Sequence, residues 1–271
     1  MSKRVLITGA AGGIGAAAAS ELRSRGARVL GLDLKADADD VIACDVRDQA
    51  SVGRGVAEAL ERLGGLDVLV NNAGLGIPQS AGRPPDGDAL AVIDVNLLAP
   101  WRVTAAALPA LRESRGRVVN VASGLAHVTM PFSPAYCMSK RGLVAYSDAL
   151  RLEYGHEITV TTVYPGYIRT PIHDSSAALG LRLEGAVPAE RLEDAARTLA
   201  RAALGSATRD LATTRRGGVS YALVSRAPRG LMDRMVGRRF RRLARSGHFA
   251  DSELAREFVE RAGSAPASRR A

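Results

Sequence analysis

"RVLITGAAGGIGAAAASELRSRG", residues 4–26, runs from an apolar stretch through a glycine-rich turn into an alanine-rich helical pattern. Gly9, Gly12, Gly13 and Gly15 crowd the junction. Glycine weakens a helix, so a cluster at the handover from strand to helix needs a physical reason. One reason is a tight turn that lets bare backbone approach a phosphate at a helix N-terminus. The other is simple flexibility. The remainder of the chain decides between them.

Outward from this turn, short β-rich runs alternate with longer helical patterns. "RVLIT" (4–8) leads to a helix near 14–25 and then "ARVLGLD" (27–33). "DVIAC" (40–44), a helix near 48–63 and "LDVLVNN" (66–72) follow. A helical stretch from 86 to 113 precedes "GRVVNVAS" (116–123), and a helix near 134–154 precedes "EITVTTVYPG" (157–166). "DLATT" (210–214) is read as a seventh strand. Near-continuous apolar strands separated by amphipathic helices imply a parallel sheet covered on both faces. Right-handed crossovers then give a doubly wound α/β fold of the Rossmann type, with about seven strands. Residues 1–214 are expected to form one such domain, with 215–262 as a basic helical extension and 263–271 disordered.

Composition sets limits. The 271 residues can bury a substantial core, and 46% hydrophobic with 24% charged residues reads as globular. Cys44 and Cys137 are the two cysteines, far apart and without metal-ligand spacing, so no disulfide scaffold or metal site is expected. No apolar run suggests a membrane span, and the chain enters its first strand with no room for a signal peptide. A cytoplasmic protein is expected. The net charge of +9 lies wholly after residue 214, where 14 arginines face 5 acids. A basic tail on a neutral body, lacking interleaved aromatics, argues against nucleic acid as a partner.

In doubly wound sheets ligands bind at the carboxyl ends of the strands. The glycine turn stands at one such end and Asp33 at the next. A carboxylate there accepts both ribose hydroxyls of NAD and repels the 2′-phosphate of NADP. "SPAYCMSKRG" (133–142) places Tyr136 and Lys140 four residues apart, on one face of a helix. A free phenol has a pKa of about 10, and a nearby ammonium is expected to lower it towards the working range of a general acid–base.

Taken together, these residues resemble the short-chain dehydrogenase/reductase superfamily in its single-domain form. T-G-x-x-x-G-x-G stands as Thr8, Gly9, Gly13 and Gly15, with Gly12 and Ile14 inside it. Asp45 and Val46 follow the third strand, and N-N-A-G is Asn71, Asn72, Ala73 and Gly74. A helix asparagine is Asn96, and the serine, tyrosine and lysine are Ser123, Tyr136 and Lys140. P-G-x-x-x-T stands as Pro165, Gly166 and Thr170. The resemblance implies hydride transfer between NAD(H) and a secondary alcohol or ketone. Tyr136 would move the proton, Ser123 orient the substrate oxygen, Lys140 bind the nicotinamide ribose, and Asn96 hold a water beside Lys140. Ile168 and Thr170 would fix the carboxamide, and Asp45 and Val46 would meet the adenine. It also implies a mobile lid over 171–188, whose small apolar residues suit a lipophilic substrate. Pairing through the helices of Asn96 and Tyr136 would give a homodimer or homotetramer. A non-catalytic dinucleotide-binding sensor or scaffold is the alternative, but it would need neither Ser123 nor a proton relay.

His127 and His173 are candidate substrate contacts, while Cys137, Trp101, Tyr146 and Tyr154 read as packing residues. "PRGLMDRMVGRRFRRLARSG" (228–247) projects as a basic amphipathic helix opened by Pro228 and closed by Gly247. Leu231, Met232, Met235, Val236, Phe240 and Leu243 share its apolar half, and "VSYALV" (219–224) adds apolar surface upstream. Such a helix either lies peripherally on an anionic membrane or packs on the body.

Overall fold

The computed structural model describes residues 2–181, 189–213 and 227–264. "VSYALV", residues 182–188 of the expected lid and the expected disordered end beyond Ser264 lie outside them. Seven parallel strands form one sheet in the order β3-β2-β1-β4-β5-β6-β7. They are β1 (Arg4–Thr8), β2 (Arg28–Asp33), β3 (Val41–Ala43), β4 (Val68–Asn71), β5 (Arg117–Val121), β6 (Thr159–Tyr164) and β7 (Asp210–Ala212). The order reverses between β1 and β4, which opens a crevice at their carboxyl ends.

Alternation along β1 shows how both faces are filled. Leu6 joins a core with Val52, Val56 and Ala59 of α2 (Gln49–Leu63) and Val103, Ala107 and Leu111 of α4 (Ala99–Glu113). Val5 and Ile7 face the other way, against Ala18, Ala19 and Leu22 of α1 (Gly13–Ser24) and Leu199, Ala200 and Ala203 of α7 (Leu192–Leu204). α5 (Pro134–Tyr154) lies on the α4 side and carries Tyr136 and Lys140. A polar chain runs through this buried layer. Asn71 Nδ2 donates to Thr104 Oγ1 at 3.0 Å and to Asn120 Oδ1 at 2.8 Å, and Asn120 Nδ2 donates to Ser147 Oγ at 2.8 Å. It ties β4 and β5 to α4 and α5.

The stretch expected as one helix from 86 to 113 is divided. α3 (Gly87–Ile93) passes through a π-helical turn, Asp94–Leu98, into α4. The extra residue in that turn rotates Asn96 inward, where it is 0% exposed. Taken through the π-turn, Gly87–Glu113 is long and apolar enough on average to cross a membrane, although Asp88, Asp94 and Arg102 interrupt its apolar run. Its buried face packs on the sheet, and it leaves Leu90, Leu98 and Trp101 exposed.

After β6 the chain forms a short turn, Pro171–His173, and α6 (Asp174–Ala178). The tail forms α8 (Arg229–Arg245) and α9 (Arg256–Ser264). α9 takes in residues 263 and 264, which the sequence assigned to a disordered end. The tail packs on the body: Phe240, Ala244, Phe249, Ala255 and Ala262 form a separate core with Leu181, Met130 and Phe132. Its apolar half is thereby split. Phe240 is buried and Val236 and Leu243 pack against the core, while Leu231 and Met235 remain exposed.

Candidate active site

The crevice at the strand ends is a cleft of about 1490 Å³. Ligand pockets commonly measure ~300–1,000 Å³, so this one has room for more than one small molecule. Nearly all the predicted site residues line it: Gly9, Gly12, Gly13, Ile14, Asp33, Asp45, Val46, Asn72, Ala73, Gly74, Ser123, Tyr136, Lys140, Pro165, Gly166, Ile168 and Thr170. His127 and His173 line it too. Gly15 and Asn96 do not; both stand behind the wall and support it.

The glycine turn is built for close approach. Gly9 and Gly13 have φ of 70° and 53°, a region that side chains rarely adopt. A Cβ on Gly15 would lie 1.9 Å from the Gly9 carbonyl oxygen, so α1 can sit this tightly only without one. Gly12 caps α1 without a side-chain hydrogen bond, and the first turn holds no acid. The free N–H groups and positive dipole end there therefore face the cleft. Across from it, a Cβ on Gly13 would touch Thr170 at 3.5 Å. Thr8 Oγ1 accepts from the Asn72 and Ala73 amides, each at 3.0 Å, and closes the floor between β1 and β4. This cradle fits a pyrophosphate.

Asp33 Oδ2 accepts from the Ala11 amide at 2.9 Å, which fixes the carboxylate beside the turn. Lys35 and Arg47 also line this end, which the sequence reading did not anticipate. Arg47 is bound to Asp45 at 2.8 Å, and that pairing holds the Asp45 carboxyl below its usual range. Glu190 is a second addition. Its carboxylate accepts from the Gly166 amide at 2.9 Å and from the Thr213 hydroxyl, so it braces the Pro165–Gly166 turn.

Ser123, Tyr136 and Lys140 meet at the inner end. Ser123 stands two residues beyond β5, where Gly124 N donates to Pro165 O at 3.1 Å and joins the chain ends after β5 and β6. Lys140 is 3% exposed, and its Nζ donates to the Val121 carbonyl at 2.9 Å. Burial brings its pKa down to about 8. Nζ lies 5.8 Å from the Tyr136 ring centroid. Burial pushes the Tyr136 phenol up to about 12, with the Ser123 hydroxyl acting in the opposite direction. The expected lowering by Lys140 is not found: desolvation dominates, and Ser123 is the group that opposes it.

Asn96 is engaged by the main chain of Leu75 and by the Ser139 hydroxyl. Its Oδ1 accepts from Leu75 N at 2.8 Å, and its Nδ2 donates to Leu75 O at 2.9 Å and Ser139 Oγ at 3.2 Å. Gly74 fits between Asn96 and Lys140: a Cβ there would lie 3.3 Å from Asn96 Oδ1 and 3.7 Å from Lys140 Nζ. The Asn96 side chain thus holds the loop after β4 against the lysine.

Over this group lie Pro171–His173 and α6. The Ser175 hydroxyl donates to Gly76 O at 3.2 Å, and a Cβ on Gly76 would meet Ile172 O at 2.9 Å. His127 packs on Tyr164 with ring centroids 5.3 Å apart, and burial lowers its pKa. His173 packs on Tyr167 at 4.8 Å. Cys137 is buried, and burial raises its thiol pKa, as suits a packing residue. Trp101 is instead 58% exposed and stacks on Tyr146 at 5.5 Å. Among the described residues no group of His, Cys, Asp and Glu could hold a metal ion.

Comparison with known proteins agrees with this arrangement. The model of the short chain dehydrogenase family matches residues 3–178. The chain is 34% identical over 217 residues to the oxidoreductase UcpA of Escherichia coli, covering 71% of this chain and 82% of that protein. It is 36% identical over 197 residues to human retinol dehydrogenase 16, covering 67% of this chain and 62% of that one. The ligand-free structure of Thermoplasma acidophilum aldohexose dehydrogenase superposes with a TM-score of 0.71 at 25% identity, over 84% of this chain and 98% of that one.

Proposed function

The chain belongs to the short-chain dehydrogenase family of oxidoreductases, and on that footing we propose that it transfers a hydride between NAD(H) and a lipophilic secondary alcohol or its ketone. The observation that carries this is the convergence of Ser123, Tyr136 and Lys140 at the inner end of a cleft whose outer end is a phosphate cradle.

When bound, the nicotinamide ring supplies the hydride donor or acceptor. The chain's own residues do the rest. Tyr136 gives a proton to the carbonyl oxygen in reduction and takes it from the hydroxyl in oxidation. The Ser123 hydroxyl holds the same oxygen and fixes its distance from the phenol. Lys140, anchored on Val121 O, directs its ammonium at the ribose hydroxyls. Gly9, Gly12, Gly13 and the α1 N-terminus take the pyrophosphate. Asp33 favours NAD by accepting from the adenosine ribose, and the pairing with Asp45 engages the Arg47 guanidinium on a carboxylate rather than on a 2′-phosphate.

The substrate class rests on the wall between Ser123 and Tyr136, where Leu125, Val128 and Met130 line the cleft with Ile77 and Ile172 opposite. Similarity to a retinol dehydrogenase supports the same class. The test is turnover of NAD⁺ and NADH against retinoid, steroid, fatty and sugar alcohols and their carbonyl forms. Activity confined to sugars would overturn the lipophilic assignment.

Two associations belong to this reading. Leu90, Leu98 and Trp101 of the α3–α4 helix and Met138 of α5 are exposed apolar residues on the helices expected to pair, which supports a homodimer or homotetramer. A monomer in sedimentation at micromolar concentration would count against it. We propose a cytoplasmic protein whose α8 makes an electrostatic contact to anionic membrane. Arg234, Arg238, Arg241 and Arg242 are exposed on it, as are Leu231 and Met235. Equal sedimentation with anionic and neutral vesicles would remove that contact.

A further inference from the structure

The family match ends at residue 178, yet the tail beyond it packs against the loop that leads to Tyr136. The point of contact is Phe132, in the loop between Ser123 and Tyr136. Phe132 has φ of 62°, in the left-handed region where a bulky residue is strained and persists only if its surroundings hold it there. Two sets of contacts do so. Its carbonyl accepts from the Gln79 amide at 3.0 Å. Its ring is met edge-on by two aromatic rings of the tail, Phe249 at 5.8 Å and Phe258 at 5.4 Å between centroids.

The neighbours of Phe132 are parts of the cleft. Met130 lines the cleft and also packs in the tail's core. Ser133 lines it too and is the N-cap of α5, three residues before Tyr136. The tail meets the other side of the opening as well. A Cβ on Gly180 would lie 2.9 Å from the Asp251 carbonyl group, and Leu181 is buried in the tail's core. The tail itself is braced, since Arg245 Nε donates to Ala262 O at 2.8 Å and joins α8 to α9.

We infer that the C-terminal helix pair backs the substrate cleft from outside, and that Phe249 and Phe258 are positioning residues that set substrate size through Phe132 and Met130. The inference rests on the oxidoreductase reading for its substrate and on packing alone for its mechanism. Edge-to-face aromatic contacts fix both distance and angle, so they can hold one backbone conformation of the loop. With the loop held, Met130 presents an apolar surface to the part of a substrate farthest from the reacting carbon. Binding energy gained there favours long apolar substrates over short ones.

The test compares the full chain with Phe258→Ala and the conservative Phe258→Leu. Amide hydrogen exchange over residues 127–133 is measured first, since it needs no substrate. It is expected to quicken at least tenfold in Phe258→Ala and to return most of the way in Phe258→Leu. The ratio of kcat/KM for a long-chain secondary alcohol to that for a short one is expected to fall at least tenfold, through KM rather than kcat. Exchange and selectivity both as in the wild type would overturn the inference. If Phe258→Ala does not fold, Phe258→Leu and Phe249→Leu carry the same readouts with smaller expected changes, and wild-type values in both would overturn it. A chain that turns over no alcohol or ketone overturns the oxidoreductase reading, and the exchange rates then decide the role of the tail alone.

Discussion

Gly15 and Gly9 touch through the space a side chain would occupy: a Cβ on Gly15 would stand 1.9 Å from the Gly9 carbonyl oxygen and 2.6 Å from Asn72 Nδ2. Both neighbours are fixed. Gly9 N donates to Leu32 O at 2.8 Å, and Asn72 Nδ2 donates to Thr8 O at 3.0 Å. Gly15→Ala must therefore push α1 away from the turn. Overpacking of this kind costs about 1–3 kcal/mol. The expected result is a lower unfolding temperature together with NADH affinity weakened at least tenfold, read by calorimetry. Unchanged affinity would mean that the turn does not hold the dinucleotide.

Cofactor preference turns on Asp33. Asp33→Ala removes the ribose acceptor and leaves Lys35 and Arg47 along the same wall. The ratio of NADPH to NADH dissociation constants is expected to fall at least tenfold, a change of about 1.4 kcal/mol in relative binding. Fluorescence titration of both cofactors checks it. Wild-type protein that binds NADPH more tightly than NADH would refute the assignment.

Lys140 gives the protein a characteristic dependence on pH. Its pKa is about 8 in the folded chain against an ordinary 10.5. Between those values the unfolded chain binds the extra proton, so unfolding free energy rises with pH across that window. Tyr136, raised to about 12, acts in the opposite sense only above pH ~10. Urea unfolding at pH 7.5 and pH 9.5 is expected to show a rise in the wild type that is smaller in Lys140→Met. The same slope in both chains would show that the lysine titrates as if exposed.

The sequence shows the fold and most of the cleft because those signals are local. Each strand is a short apolar run, and most of the expected cofactor contacts lie in motifs at the strands' carboxyl ends. The π-helical turn at Asp94–Leu98 escapes such a reading, since one extra residue in a turn leaves the apolar period almost unchanged. Glu190 escapes too: no motif contains it, and only the folded chain brings its carboxylate under Gly166. The Tyr136 phenol illustrates a third limit. The spacing to Lys140 is legible, but burial, which sets the direction in which the phenol shifts, depends on everything packed around it. For the tail, amphipathic spacing predicted a helix but could not say what its apolar half would meet. Only the fold shows that its Phe240 stacks on Phe249, which in turn meets Phe132.

The central claim is that Tyr136 moves the proton and does not hold the dinucleotide. Tyr136→Phe keeps the ring and removes the hydroxyl, and general acid–base catalysis contributes about 10²–10⁴ in rate. The direct measurement is kcat on the best alcohol of the panel beside the NADH dissociation constant of the same variant. The account predicts a loss of at least 10²-fold in kcat with NADH affinity within about threefold of wild type. Wild-type turnover by Tyr136→Phe, or loss of NADH binding in a folded variant, would contradict it.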